Sequence, residues 1–231
     1  MISAVKNKKT PIKLREDTLT SVVFDNLLHL PNNLFWKIIK ESCFENNLPC
    51  FINSIDSYEF WPSWYTQNSN NEYKVEPDLF IRFDNFDLII EAKLNLVQDL
   101  NQWKDQFIGY NDNYNQYKQN KNVYLLAIGG INDENEIEIK VNNYGSIKVV
   151  KCRWSNILEK LVSINSILVN YNFLNIDNII RIINTIIAGL EMHGFEKIHW
   201  LEDMINNTCD IDFESSFKSL LNWRIESNGW V

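Results

Sequence analysis

The sequence is poor in the residues that break regular structure, with only 7 Gly and 5 Pro in 231 positions. That excludes collagenous and low-complexity chains. Cysteine is sparse: Cys43, Cys50, Cys152 and Cys209 form no CxxC pair, and a chain this long needs no disulfide staple to bury a core. Four reduced thiols in a cytoplasmic protein are the expectation. A zinc site is not expected, since His193, His199 and Cys209 are too loosely spaced. No apolar run approaches the roughly 20 residues needed to span a bilayer, so no membrane contact is expected. Met1 to Lys13 is polar and lysine-bearing, which does not read as a secretory signal. Positive charge is also short, with 22 Lys and Arg against 30 Asp and Glu and a net charge of −8. This counts against tight autonomous binding to a polyanion, though not against a local basic groove. No GxGxxG, P-loop or GxSxG motif occurs, so nothing points to a nucleotide cofactor or a serine nucleophile elbow.

What is present is an ordinary globular mixture, 45% hydrophobic and 23% charged. Apolar spacing predicts helices over Arg15–Leu30, ended by Pro31, and over Leu34–Cys43. The aromatic stretch Phe51–Trp64 predicts one strand, and Gln67–Asn71 a loop. Pro77–Leu94 reads as two strands about an Asp84-Asn85 turn, where Asx residues tolerate a left-handed backbone. Gln98–Tyr117 has helical spacing through Leu100, Trp103, Phe107 and Tyr110. Val123–Gly130 reads as a buried central strand and Lys148–Arg153 as a further one. Helices follow over Ile157–Leu168, Ile176–Met192 and Phe213–Trp223. The order predicts a mixed α/β domain.

Three E-x-K triplets occur: Glu72 with Lys74, Glu91 with Lys93, and Glu138 with Lys140. Strand geometry selects the second. If Phe83 pairs with Phe86 across a two-residue turn, Asp78 falls opposite Glu91. Lys93 then lies on the same face. The same register sets Arg82 against Asp87, and Leu79, Ile81 and Phe83 against Ile90, Leu88 and Phe86. Because both faces of the hairpin carry apolar residues, Asp78 and Glu91 interrupt a strand pair that should be buried. Two adjacent carboxylates repel unless a cation intervenes, and Mg²⁺ suits such hard oxygen ligands.

Pro77-Asp78…Glu91-Ala92-Lys93, with an apolar run before the Glu, resembles the PD-(D/E)XK (restriction-endonuclease-like) nuclease superfamily over residues 15–155. The resemblance implies a restriction-endonuclease-like α/β core, with a four- to five-stranded mixed sheet flanked by helices and a C-terminal helical extension. The expected division is a nuclease core over 10–155 and an extension over 156–231, packed on the core or on a partner. It implies Mg²⁺, with Mn²⁺ able to substitute, held by Asp78, Glu91 and the Ala92 carbonyl. Lys93 would assist the attacking water in a cleavage that leaves a 5′-phosphate. Members often carry a Glu on an early helix, here Glu16 with Asp17 as rival, as a further catalytic and metal-supporting group. Some carry a Gln on the helix after E-x-K, here Gln106 with Gln102 as alternative. The implied activity is a DNA endonuclease, of a kind that often serves bacterial restriction or anti-phage defence. A second reading is a nuclease-like subunit that mainly binds a protein partner, or a second copy, through the C-terminal helices. His193, before Gly194, reads as a helix cap rather than a catalytic base.

Overall fold

The computed structural model describes residues 14–45, 47–68, 71–114, 121–170 and 176–196. All but Glu196 belong to one compact unit, Met1–Phe195. The expected helix Phe213–Trp223, together with His199 and Cys209, lies outside the described residues.

Two helices open the chain: α1 (Glu16–Leu27) and α2 (Asn32–Ser42). α1 buries Leu19, Thr20, Val23, Phe24 and Leu27, the 3–4 spacing of an apolar stripe. β1 (Ile55–Phe60) follows, then the pair β2 (Trp64–Asn68) and β3 (Asn71–Val75). The aromatic stretch thus splits between two strands of different sheets, and the expected loop is the join of an antiparallel pair. Next come β4 (Leu79–Phe83), β5 (Phe86–Ala92) and α3 (Leu100–Tyr114). The chain continues through β6 (Asn122–Ile128), β7 (Ile137–Val141) and β8 (Gly145–Cys152). It then enters α4 (Trp154–Asn170) and α5 (Asp177–Met192).

Six strands form one mixed sheet in the order β1-β4-β5-β6-β8-β7. Four to five were expected; β1 and β7 extend the sheet at its edges. β5, β6 and β8 run parallel, and the outer pairings are antiparallel. β5 is buried along its whole length, as a parallel central strand must be when helices cover both faces. On one face α3 packs Trp103, Phe107 and Tyr110 against Phe80, Ile89, Leu125 and Trp64. On the other, Phe35 and Trp36 of α2 meet Phe83 and Phe86. α5 packs on α1 and on α4. The expected boundary at 155/156 falls inside the first turn of α4, and the compact unit continues to Phe195. None of the described helices is long and apolar enough to cross a membrane.

The hairpin has the register read from the sequence: Leu79 pairs with Ile90, Ile81 with Leu88 and Arg82 with Asp87. Its turn does not use a left-handed residue. Among described non-glycine residues only Trp61 and Asn143 have positive φ. Side-chain and backbone bonds hold the bend instead, with Asn53 donating to the Asp84 carboxylate at 2.6 Å and the Asp84 N–H to the Ser54 carbonyl.

Candidate functional site

The site forms at one end of the sheet, where β4 begins and β5 ends. Extending the hairpin register by one pair sets Asp78 beside Glu91, and both are buried. Asp78 accepts the Ala92 N–H at 2.8 Å. Its carboxyl is pushed up to about 7, first by burial and then by the Glu91 charge, against the pull of the Ala92 N–H and Lys93. Glu91 is also raised, mainly by burial, while bonds from Lys93 and Gln106 partly offset the shift.

Glu91 takes three side-chain donors. Lys93 Nζ reaches Oε1 at 2.5 Å, Gln102 Nε2 reaches the same oxygen at 2.7 Å, and Gln106 Nε2 reaches Oε2 at 2.5 Å. Gln102 and Gln106 lie four apart on α3, so one helical face delivers both. The two glutamines weighed as alternatives therefore act together. Gln106 is fully buried, and its Oε1 has no hydrogen-bond partner among the described residues. It stands behind Glu91 and holds that carboxylate.

Between the rivals on α1, the structure selects Glu16. Asp17 is exposed, whereas Glu16 accepts the Leu94 N–H at 2.8 Å and stands 3.5 Å from Lys93 Nζ. Lys93 thus bridges two acids. Burial works against its charge, but Glu91, Glu16 and Asp78 outweigh it and raise the ammonium above its ordinary value. Glu16 is brought to the lysine. Among the described residues no group of three or more His, Cys, Asp or Glu side chains is placed to hold a metal ion. Asp78 and Glu91 are neighbouring buried carboxylates that could offer a cation two hard oxygen ligands. Mg²⁺ commonly uses one or two carboxylates and completes its shell with water and phosphate oxygens. The other E-x-K triplets stay apart: Glu138 and Lys140 are exposed on β7, and Lys74 is exposed beside Glu76.

Three supporting residues have no sequence signature. Gln98 donates from one amide nitrogen toward the carbonyls of Glu91, Ile128 and Gly129 at 3.1–3.2 Å, and its oxygen accepts the Trp103 indole at 2.9 Å. Trp154 donates its indole N–H to the Lys93 carbonyl at 3.0 Å. Trp61 donates its backbone N–H to the Asp78 carbonyl at 3.1 Å with φ at +48°. A bulky residue in that region is strained, and such strain collects at functional sites. Gly129 and Gly130 are the one place where glycine is demanded here. Both have positive φ, and a Cβ on Gly129 would stand 2.1 Å from the Lys93 carbonyl oxygen.

A second buried polar group lies toward the turn end of the hairpin. Asp87 accepts the Tyr110 hydroxyl at 3.0 Å and faces Arg82 at 3.5 Å, the ion pair the register implied. Burial and Asp87 hold the Tyr110 proton firmly in place. His193 caps α5, bonding through Nδ1 to Gly189 O and through Nε2 to Thr18 on α1.

No family model matches the chain. A search of curated proteins finds similarity to an uncharacterized protein of Pasteurella multocida, 29% identical over 210 residues, covering 83% of this chain and 75% of that protein.

Proposed function

We propose that the chain is a Mg²⁺-dependent phosphodiesterase of the PD-(D/E)XK kind, acting on nucleic acid and on DNA in the first place. One observation carries the reading. Two carboxylates, Glu91 and Glu16, meet the Lys93 ammonium, a third, Asp78, stands across the hairpin from Glu91, and Asp78 and Glu91 are buried. Buried acids in excess of their bases require either protons or a metal cation. Asp78 and Glu91 would hold the ion with the Ala92 carbonyl. A divalent cation there would polarise a phosphoryl oxygen and lower the pKa of its water.

The chain's own residues supply the rest. Lys93 is held protonated between Glu91 and Glu16, so it serves as a donor and a positive charge beside the phosphate rather than as a proton acceptor. Glu16 fixes that ammonium while its other oxygen anchors the Leu94 N–H. Gln102 and Gln106 aim the Glu91 carboxylate, the outer-shell role that commonly sets metal affinity.

The test is cleavage of plasmid, linear duplex, single-stranded DNA and RNA in Mg²⁺ and in EDTA. Asp78→Ala, Glu91→Ala and Lys93→Ala should each lower the Mg²⁺-dependent rate by at least about 100-fold. Full activity in all three would overturn the reading.

A second reading has its own observation. Leu96, Val97 and Leu100, in the segment that follows Lys93, are 67%, 60% and 44% exposed. Such a cluster suits a protein partner, with the nuclease-like core as scaffold. A stable hetero-complex without cleavage would favour it.

A further inference from the structure

One pair of reactive groups is used by none of the roles above. Where α2 ends, Cys43 forms an isolated antiparallel bridge with Cys152, the last residue of β8. The Phe44 N–H donates to the Lys151 carbonyl at 3.1 Å. That bond places Cys43 and Cys152 at a non-hydrogen-bonded pair, where opposed Cα atoms approach to about 4.5 Å and side chains come closest. Disulfides span Cα separations of about 4.4–6.8 Å. β7 does not compete for this position, because its pairing with β8 reaches only Val149. Both cysteines are free thiols here.

Their surroundings divide the labour. Cys43 is half-buried, and its thiol donates to the Ile39 carbonyl at 3.3 Å. Cys152 is 1% exposed. The adjoining Cys43 thiol and then burial hold its proton on. A reagent can therefore reach Cys43, while only Cys43 can reach Cys152.

We propose that Cys43 and Cys152 are an oxidisable dithiol, with Cys43 the entry thiol and Cys152 the resolving thiol, that takes low-molecular-weight disulfides and hydroperoxides. With a glutathione disulfide, the Cys43 thiolate attacks one sulfur and expels one glutathione thiolate, which takes up a proton. Cys152 gives up its proton as it attacks the Cys43 sulfur and expels the second glutathione. The protein loses two electrons and two protons, and one disulfide becomes two thiols. With hydrogen peroxide, Cys43 becomes a sulfenic acid as one water leaves, and Cys152 displaces the hydroxyl as a second water. The product would staple the end of α2 to the end of β8 across about 110 residues of chain, a loop long enough for a cross-link to constrain the unfolded state strongly.

The test uses the full chain as wild type, Cys43→Ser, Cys50→Ser and Cys152→Ala. Each is treated with oxidised glutathione, blocked with an alkylating agent, then mapped by peptide mass and melted. The expected result is a Cys43–Cys152 linked peptide in wild type and in Cys50→Ser, absent from Cys43→Ser. The melting temperature should rise by on the order of 5–10 °C and return on reduction. In Cys152→Ala a glutathione adduct should persist at Cys43; in wild type such a lasting adduct, a bridge to Cys50 or Cys209 instead, or a lower melting point after oxidation would overturn it. Should Cys152→Ala fail to fold, the presence or absence of the linked peptide in wild type and Cys50→Ser still decides the question.

Discussion

Replacing Asp78 with Asn should make the protein more stable at alkaline pH while abolishing metal-dependent activity. Asp78 ionises at about 7 in the folded chain against 3.8 for the free side chain. Between those values the folded state holds a proton that the unfolded state has lost, so stability falls as pH rises. The penalty is absent well below pH 4 and complete above about pH 7. A difference of about three in pKa corresponds to about 4 kcal/mol. Local relaxation and water access reduce this to about 2–4 kcal/mol. Asn removes the charge and keeps an oxygen for the Ala92 N–H. In EDTA at pH 8, calorimetry should show Asp78→Asn melting higher than wild type by about 5–15 °C for a chain of this size. At pH 4 the two should nearly coincide. Adding Mg²⁺ at about 100 times its Kd should then stabilise wild type by about 2.7 kcal/mol and leave the variant unchanged. Equal melting points in EDTA at pH 8, or a less stable variant, would refute the claim that this carboxylate is buried without enough positive charge.

Other perturbations probe the supports. Gly129→Ala drives a methyl against the Lys93 carbonyl in a left-handed backbone, which should cost at least about 3 kcal/mol by urea denaturation. Gln106→Ala leaves one Glu91 oxygen without its buried donor. It should weaken Mg²⁺ binding by about 10–100-fold in calorimetric titration. Trp61→Gly relieves strain at a half-exposed ring and should cost within about 1 kcal/mol, against about 3–5 kcal/mol for the buried Trp64→Ala. Equal losses at the two tryptophans in parallel melts would remove the case for strain at Trp61.

The hairpin was legible because side chains alternate faces along each strand, so one assumed turn sets every cross-strand pair at once. The spacing alone therefore makes neighbours of Asp78 and Glu91 and pairs Arg82 with Asp87. The bend at Asp84-Asn85 differs from the left-handed turn its residue types allow. Residue type allows a left-handed turn, but Asn53 and Ser54, distant in sequence, hold a different one. β2 and β3 were hidden because the stretch around Trp64 alternates poorly, and the extra strand β7 is a short exposed edge. Gln98 and Trp154 could not be found, since each acts by donating to main-chain carbonyls, and any residue presents a carbonyl. The expected division at 155/156 falls inside α4 for a related reason. A change from strand to helix pattern at Trp154 marks a change of element, while packing of α5 on α1 and α4 makes those helices part of the core.

That last contact has a consequence for synthesis. Glu16 rides on a helix whose partner, residues 177–192, is among the last parts of the compact unit to be made. During translation the hairpin with Asp78, Glu91 and Lys93 emerges long before the element that braces Glu16. A growing chain therefore carries its acids and its lysine without their final alignment, which must wait until residues 177–192 have been made and can pack against the helix that carries Glu16.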